Sequence, residues 1–487
     1  MAWNIQGYPR VKEDEGITSY TAYSILHGTG NDAIFTFRHM PGAPLMLAGW
    51  DRLVDMVNQS TGWFTSMSVI DRGRLLMVVL AIIEAPLMFY IVRRLTGIDL
   101  LATGAAILFS LSPLELWYAR WLEPDPFAGF WSLFALALAL PPARGKGNPL
   151  RALMAGLMLG AAIFSKEIAI LLAPGVGLMI LGWPRGRRFL AVPLLIAGTA
   201  VIPGGFLVWL YQNHELFVNP GHASFVGVML DQAGRQHDGG LFSTGSQFYT
   251  VKNIWGSLQP FFITLSLLGS VWLTGFGRSV ARRGLGLMAL AFWPFFASGL
   301  IVQDYYVAAA VPVWTVAAVL AVVDFCERDF VQKRLWGFGL LARAGGLGTV
   351  VFLLLMAPGI PADALAFGAQ DAKIQTDATL WLRENVSPQA AIVDDGSDSL
   401  DLRGSTLAGH DVPNVCNYYD TSCPNSAGVK VAYIVDSGLL NYLAQQDPTG
   451  SGKLRAKALS GTLVWSAEGL TDNNFIHIFR VDLTTGP

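Results

Sequence analysis

From Leu75 onward the chain falls into about ten apolar runs, each near the length a helix needs to cross a bilayer. They cover 75–92, 100–119, 126–142, 151–165, 168–183, 189–210, 258–277, 284–301, 305–323 and 339–358. A backbone inside lipid must satisfy its own polar groups, so runs of this kind fold as helices. The reading is an α-helical polytopic membrane protein. Composition agrees: 53% of the 487 residues are hydrophobic and 14% charged, against about 25% charged in a soluble domain. A net charge of −2 leaves no global field to recruit nucleic acid.

Basic residues set the orientation. Arg93–Arg94, Arg144/Lys146/Arg151, Arg185/Arg187/Arg188, Arg278/Arg282/Arg283 and Arg328/Lys333/Arg334 share one side if the runs alternate. That side is the cytoplasm. The outer face then receives residues 1–74, the turn 120–125, the loop 211–257 and everything after Pro358, with Lys166 and 303–306 at outward tips. Residues 1–16 hold no apolar signal region that would carry 1–74 outward. A first transmembrane helix is therefore expected upstream. The chain divides into a first extracytoplasmic loop (1–74), a transmembrane core (75–358) and an extracytoplasmic soluble α/β domain (361–487). The location expected is the cell membrane, plasma or inner, with active site and C-terminal domain outside.

Within 1–74, "ITSYTAYSILHG" and "PLMLAGWDRLVDMV" read as amphipathic helices lying along the interface. After Pro358, "TDATLWLRENVSPQAAIVDDGSDSLDL" reads as helix, turn and a buried strand ending in acids; "VKVAYIVDS" and "FIHIFRVDL" read as further strands. Cys416 and Cys423, in "CNYYDTSC", have no zinc-like spacing and sit on the oxidising side, which favours a disulfide. Cys326, at a cytoplasmic helix end, reads as a free thiol.

Charge at the outer face is concentrated in a few places. Glu13-Asp14-Glu15 opens the first helix, either as an acidic cap or as an active-site cluster. "YARWLEPDPF" sets Arg120, Glu123 and Asp125 in a tight turn between spans, more than an interfacial anchor requires. "FSKEIAILLAPG" puts Lys166-Glu167 at a hairpin tip, as a surface ion pair or as a phosphate contact. "RHMPGAPL" places Arg38 and His39 before a proline loop, and "QDYYVAAAVP" starts a span with Tyr305 and Tyr306. The spans themselves are nearly free of charge. Glu84 is the main exception, with Arg343 near a cytoplasmic end.

Taken in order, "EDEG", "RHMP", "GRLLMVVLAIIEAPLMFYIVRRLTG", "LSPLELWYARWLEPD", "LMLGAAIFSKEIAILLAPG" and "YYVAAAVP" resemble the GT-C glycosyltransferases. More narrowly, the chain is similar to the family-39 type, which includes protein O-mannosyltransferases and lipid A aminoarabinose transferases. The resemblance covers about 1–325, and the tail matches in kind alone. It implies an inverting transfer of a sugar, hexosyl or pentosyl, from a polyprenyl-phosphate donor to an acceptor hydroxyl on a glycan, lipid or protein. It also implies a helix before the acidic loop.

By the same resemblance Asp14 is the general base, and Glu15 orients it or helps hold a divalent metal together with Asp125. Arg120 and Asp125 match the family's Arg-to-Asp turn. Lys166 matches its Thr-Lys tip, with Ser165 in place of Thr, and Tyr306 matches the tyrosine six residues before a proline. His39-Met40-Pro41 stands for its His-Pro-Pro or Lys-Pro-Pro element with Met at the middle position, and Arg38 and His39 are the expected donor-phosphate contacts beside Arg120 and Lys166. Arg235, in the large loop, is a further cation available to the phosphate. The chemistry is consistent with this: a phosphate leaving group needs cations around it, and the attacking hydroxyl needs a carboxylate base. The alternative is a polytopic transporter or a membrane binding protein with an outer domain. Transporters carry charges and broken helices at midplane, often in inverted repeats, and no repeat is visible here.

Overall fold

A computed structural model describes residues 13–27, 40–64, 67, 69–142, 148–217, 224–234, 250–297, 304–326, 371–387, 389–394, 415–417, 429–468 and 475–483. The expected last span, 339–358, lies outside the described residues.

Helix α1 (Glu13–His27) starts at the acids themselves, so Glu13, Asp14 and Glu15 occupy its first turn, at the positive end of the helix dipole. Its buried face is polar, with Glu15, Thr18, Ser19 and Thr21 all enclosed. This differs from the apolar underside expected of an interfacial helix. α2 (Gly42–Thr61) does follow the amphipathic pattern, burying Ala43, Pro44, Leu47, Ala48 and Val54. One position on that face is Asp51.

The long α3 (Val69–Thr96) follows. The apolar run 100–119 is not one helix. It divides into α4 (Asp99–Ser110) and α5 (Pro113–Tyr118), because Pro113 has no N–H to continue the ladder and Ser112 caps the new helix by accepting from the Glu115 N–H. Prolines at the first helical turn also start α6 (Pro124–Ala139) and α7 (Pro149–Ser165). A 3-10 turn (Glu167–Leu172) leads into α8 (Ala173–Leu181), then α9 (Arg185–Gln212) and α10 (Phe225–Gly234). After a π-helical turn (Thr250–Trp255) come α11 (Pro260–Phe276), α12 (Val280–Phe296), a second 3-10 turn (Asp304–Ala309) and α13 (Val311–Cys326).

Two described helices, Ile70–Thr96 and Arg187–Gln212, are long and apolar enough to cross a membrane. Apart from α7, the other apolar helices are shorter than the runs they overlap, since caps, prolines and 3-10 turns take up the ends. α7 and α9 touch backbone to backbone: any side chain at Gly156 would collide with the Leu195 carbonyl. At the end opposite α1, Arg282 bonds Asp324 at 2.8 Å and the Leu95 carbonyl at 3.0 Å, tying α12 to α13 and to the end of α3.

Further along, five strands form one sheet in the order β2-β1-β3-β5-β4. These are β1 (Ala391–Asp394), β2 (Val415–Asn417), β3 (Val431–Ser437), β4 (Thr462–Glu468) and β5 (Phe475–Asp482). β1 pairs parallel with β2 and β3, while β5 runs antiparallel to β3 and β4. Alternation along β5 sends Ile476 and Ile478 to one face and Phe479 and Val481 to the other. α14 (Asp371–Asn385) covers the first face through Ile374, Ala378 and Leu382. α15 (Gly438–Gln446) and α16 (Ser451–Leu459) cover the second through Leu440 and Ala458.

Candidate active site

The Glu15 side chain is fully buried and fully engaged. Its Oε1 accepts from Arg74 Nε at 2.9 Å and from the Leu122 N–H at 3.1 Å, and its Oε2 accepts from Arg74 Nη2 at 2.8 Å. A bidentate pair of this kind is strong because both groups are charged and the two planes match. One carboxylate thereby fastens the first turn of α1 to α3 and to the 120–125 turn. Leu122 seats its side chain against Gly73, one residue before Arg74.

The 120–125 turn is enclosed throughout. Arg120, Glu123 and Asp125 are each at most 1% exposed. Asp125 faces Lys166 Nζ at 3.4 Å, and the same ammonium lies 4.2 Å from the centroid of the Tyr306 ring. Lys166 caps the end of α7, outside the helices themselves. Burial pushes its pKa down, but Asp125 first, then Tyr306, Glu167 and Glu123, push it up further, and the net shift is upward. Lys166 is a permanent cation.

The adjoining Glu167 reaches the segment before α2, where the Met40 N–H donates to its Oε1 at 2.6 Å. A Cβ at Gly42 would stand 2.5 Å from the Phe164 carbonyl oxygen, so only glycine allows the start of α2 to lie against the end of α7. Beside Lys166, Tyr305 and Tyr306 stand edge to face at 5.3 Å. Tyr305 meets Trp121 at 6.1 Å, and Trp121 meets Tyr118 at 5.2 Å. This aromatic row joins the second 3-10 turn to the 120–125 turn.

Of the expected residues, Glu15, Arg120, Asp125, Lys166 and Tyr306 thus lie on segments that meet. Asp14 is placed by its backbone in the first turn of α1, beside Glu15; its side chain lies outside the described residues, as do Arg38, His39 and Arg235. Cys416 is placed by backbone in β2, its side chain and Cys423 lie outside the described residues, and so does the Cys326 side chain. Arg74 was not read from the sequence, because "DRGRLL" looks like an ordinary charged flank to a span. Its clue is a basic residue on the outer side, where such flanks are normally sparse.

The geometry does not fit a divalent cation shared by Glu15 and Asp125. Glu15 already holds Arg74, and Asp125 already faces Lys166. Among the described residues no group of three or more His, Cys, Asp or Glu is gathered for a metal.

No family model matches the sequence, and no curated protein matches it. Solved structures do. ArnT from Cupriavidus metallidurans bound to undecaprenyl phosphate overlaps at a TM-score of 0.53 with 14% identity, covering 99% of this chain and 96% of that one. Its apo state overlaps at 0.55 with 15% identity and the same coverage. The chain has the GT-C fold. The GT-C helical core and the small C-terminal sheet both fall within that overlap. An Archaeoglobus fulgidus oligosaccharyltransferase in complex with Zn and sulfate overlaps more loosely, at 0.46 with 14% identity over 96% of this chain and 69% of that one.

Proposed function

We propose that this GT-C protein transfers a sugar from a polyprenyl-phosphate donor to an acceptor hydroxyl on the extracytoplasmic face of the membrane, with inversion and with Asp14 as general base. The observation that carries this reading is the Glu15–Arg74–Leu122 fastening, which holds the acidic first turn of α1 against the turn bearing Arg120 and Asp125, with Lys166 alongside. Acid and buried cations are both required, and they belong to opposite halves of the reaction. A solved neighbour of the same fold carries undecaprenyl phosphate, which supports a lipid of that class as the donor's carrier.

In the step envisaged, the acceptor oxygen forms its bond to the anomeric carbon as the bond from that carbon to the phosphate oxygen breaks. Asp14 takes the hydroxyl proton, and the electron pair leaves with the polyprenyl phosphate. The departing group gains negative charge, which Arg120 and Lys166 stabilise without having to reorganise. Glu15 keeps the base in place and Tyr306 holds Lys166 aimed by its ring face. Residues 1–74 and 361–487 lie outside the membrane in this reading, where Cys416 and Cys423 form a disulfide.

Asp14→Asn tests it. Removing a general base costs about 10²–10⁴-fold in rate, so the variant, folded and still binding the carrier lipid, is expected to lose transfer from polyprenyl-phosphate sugars supplied to the purified protein. Wild-type turnover by Asp14→Asn overturns the assignment.

A further inference from the structure

The two residues just past α7 serve different parts of the fold. The backbone at Lys166 is extended (φ −151°, ψ 123°), so its side chain and the next one diverge. Lys166 turns to Asp125 and to the face of Tyr306. Glu167 opens the first 3-10 turn and accepts the Met40 N–H on Oε1 at 2.6 Å, across 127 positions of chain. That separation is short for an N–H donor, as bonds to an ionised carboxylate are.

Packing alone brings these segments into one region. Met40 is 8% exposed and belongs to the same core as Ile168 and Ala169, and Gly42 lies against the Phe164 carbonyl. Apolar packing has no direction, however, and leaves a segment free to turn about its own axis. The Glu167 bond removes that freedom. The N–H it holds belongs to the peptide joining His39 to Met40, and a peptide moves as one rigid plane. One carboxylate therefore limits where the chain before Met40 can start, measured from Lys166, its own neighbour in sequence. The bond also depends on the residue at position 40, since proline there would have no N–H to donate.

We propose that Glu167 is a positioning residue of the donor-phosphate pocket: through the Met40 N–H it holds the Arg38–His39 segment in register with Lys166, so that groups from two distant parts of the chain serve one phosphate. The assignment rests on the sugar-transfer reading given above. It gives neighbouring residues separate roles. Lys166 supplies charge to the leaving group, whereas Glu167 touches neither donor nor acceptor and acts through the peptide it holds. What it contributes is an acceptor oxygen. A glutamine amide oxygen can take the same N–H, and an alanine methyl cannot.

The test uses the whole purified chain in detergent, with undecaprenyl phosphate as the probe. Two readouts are taken: the Kd for that lipid, and hydrogen exchange at the Met40 amide. In Glu167→Ala the Kd is expected to rise about tenfold, because the released segment occupies its binding place only part of the time. Glu167→Gln is expected to stay within about threefold of wild type, since the acceptor oxygen is kept. In a chain already carrying Arg38→Gln and His39→Ala, Glu167→Ala is expected to add little, because the contacts it serves are gone. By linkage, saturating undecaprenyl phosphate is expected to slow Met40 exchange about tenfold in the unmutated chain, a result that needs no variant to fold. Exchange indifferent to the lipid overturns the assignment, as does an unchanged Kd in Glu167→Ala. A glutamine variant as weak as the alanine one overturns it too, by making charge and not the bond the cause, and so does a full alanine effect in the Arg38→Gln/His39→Ala chain. Each of these leaves the sugar-transfer reading standing. A wild-type chain that does not bind the lipid overturns that reading, and the assignment with it.

Discussion

Glu15 and Glu115 are both enclosed glutamates, yet their surroundings are opposite. Among the described residues Glu15 accepts two hydrogen bonds from the Arg74 guanidinium and one from the Leu122 N–H. Glu115 is as deeply enclosed, and its Oε1 has no hydrogen-bond partner among the described residues. The difference shows that burial of an acid does not by itself mark a catalytic group. At Glu15 burial has been offset by a built partner, which makes a rigid fastening. At Glu115 one oxygen has no such partner among the described residues. The first arrangement fixes geometry, and the second leaves a buried oxygen unsatisfied.

Variants can invert this contrast. The largest effect is expected from Arg74→Gln, which turns Glu15 into a buried acid without its cation. Breaking a buried ion pair from one side costs about 3–5 kcal/mol, so the melting temperature should drop steeply. Arg74→Gln/Glu15→Gln should recover much of that loss, and a double variant as unstable as the single would show that shape, not charge, is what Arg74 supplies. By contrast, Glu115→Gln is expected to leave Tm unchanged or raised, because it removes a buried acid that no ion pair supports among the described residues.

Next in size is Lys166→Gln. It strips the cation from Asp125 and from the face of Tyr306, and loss of one preorganised charge at a leaving group lowers kcat/KM by about 10²-fold. Lys166→Arg keeps the charge, so partial recovery by that variant separates an electrostatic role from a packing one. Full activity of Lys166→Gln would remove Lys166 from the donor side of the site.

The smallest effect concerns Asp51, an intermediate case on α2. Burial first, then the nearby Asp55, raises its pKa from 3.8 to about 7, and Arg72 lowers it only partly. Arg72 is itself engaged with Asp55 at 3.0 Å. The folded chain therefore holds this proton where the unfolded chain has released it. The stability it contributes is fully present below pH 3.8 and is lost as pH rises through 7. Asp51→Asn removes the dependence, so its Tm should exceed that of wild type by about 3 °C at pH 8, and the gap should narrow as pH falls from 7 toward 3.8. Parallel Tm curves for the two proteins across that range would show that Asp51 does not titrate there.

How much of this could be read from residues alone follows from the range of each interaction. Arg120, Asp125 and Lys166 declare themselves because charge in a short turn between apolar runs is locally anomalous. The division of 100–119 was readable at Pro113. The strands β1, β3 and β5 show as apolar alternation, whereas β4 carries Leu463 half exposed and β2 is three residues long, so neither leaves a pattern. Arg74 stayed hidden for a different reason: its partner is 59 positions earlier, and pairing over that distance has no local signature. Glu84 stood out in the sequence as a charge inside a span. Glu115, near the outer end of another, became notable only once the fold enclosed it.

The Leu122 N–H to Glu15 bond also has a mechanical consequence. Advancing α1 by one residue along its axis moves it about 1.5 Å, which is enough to break all three bonds at that carboxylate together. Intermediate positions are not available at low cost, so the alignment of α1 on α3 is all-or-none. The spacing between the acidic turn and the Arg120 turn is consequently a fixed length of the protein. If the chain transfers a sugar as proposed, variation in the size of the acceptor has to be accommodated by other parts of the chain.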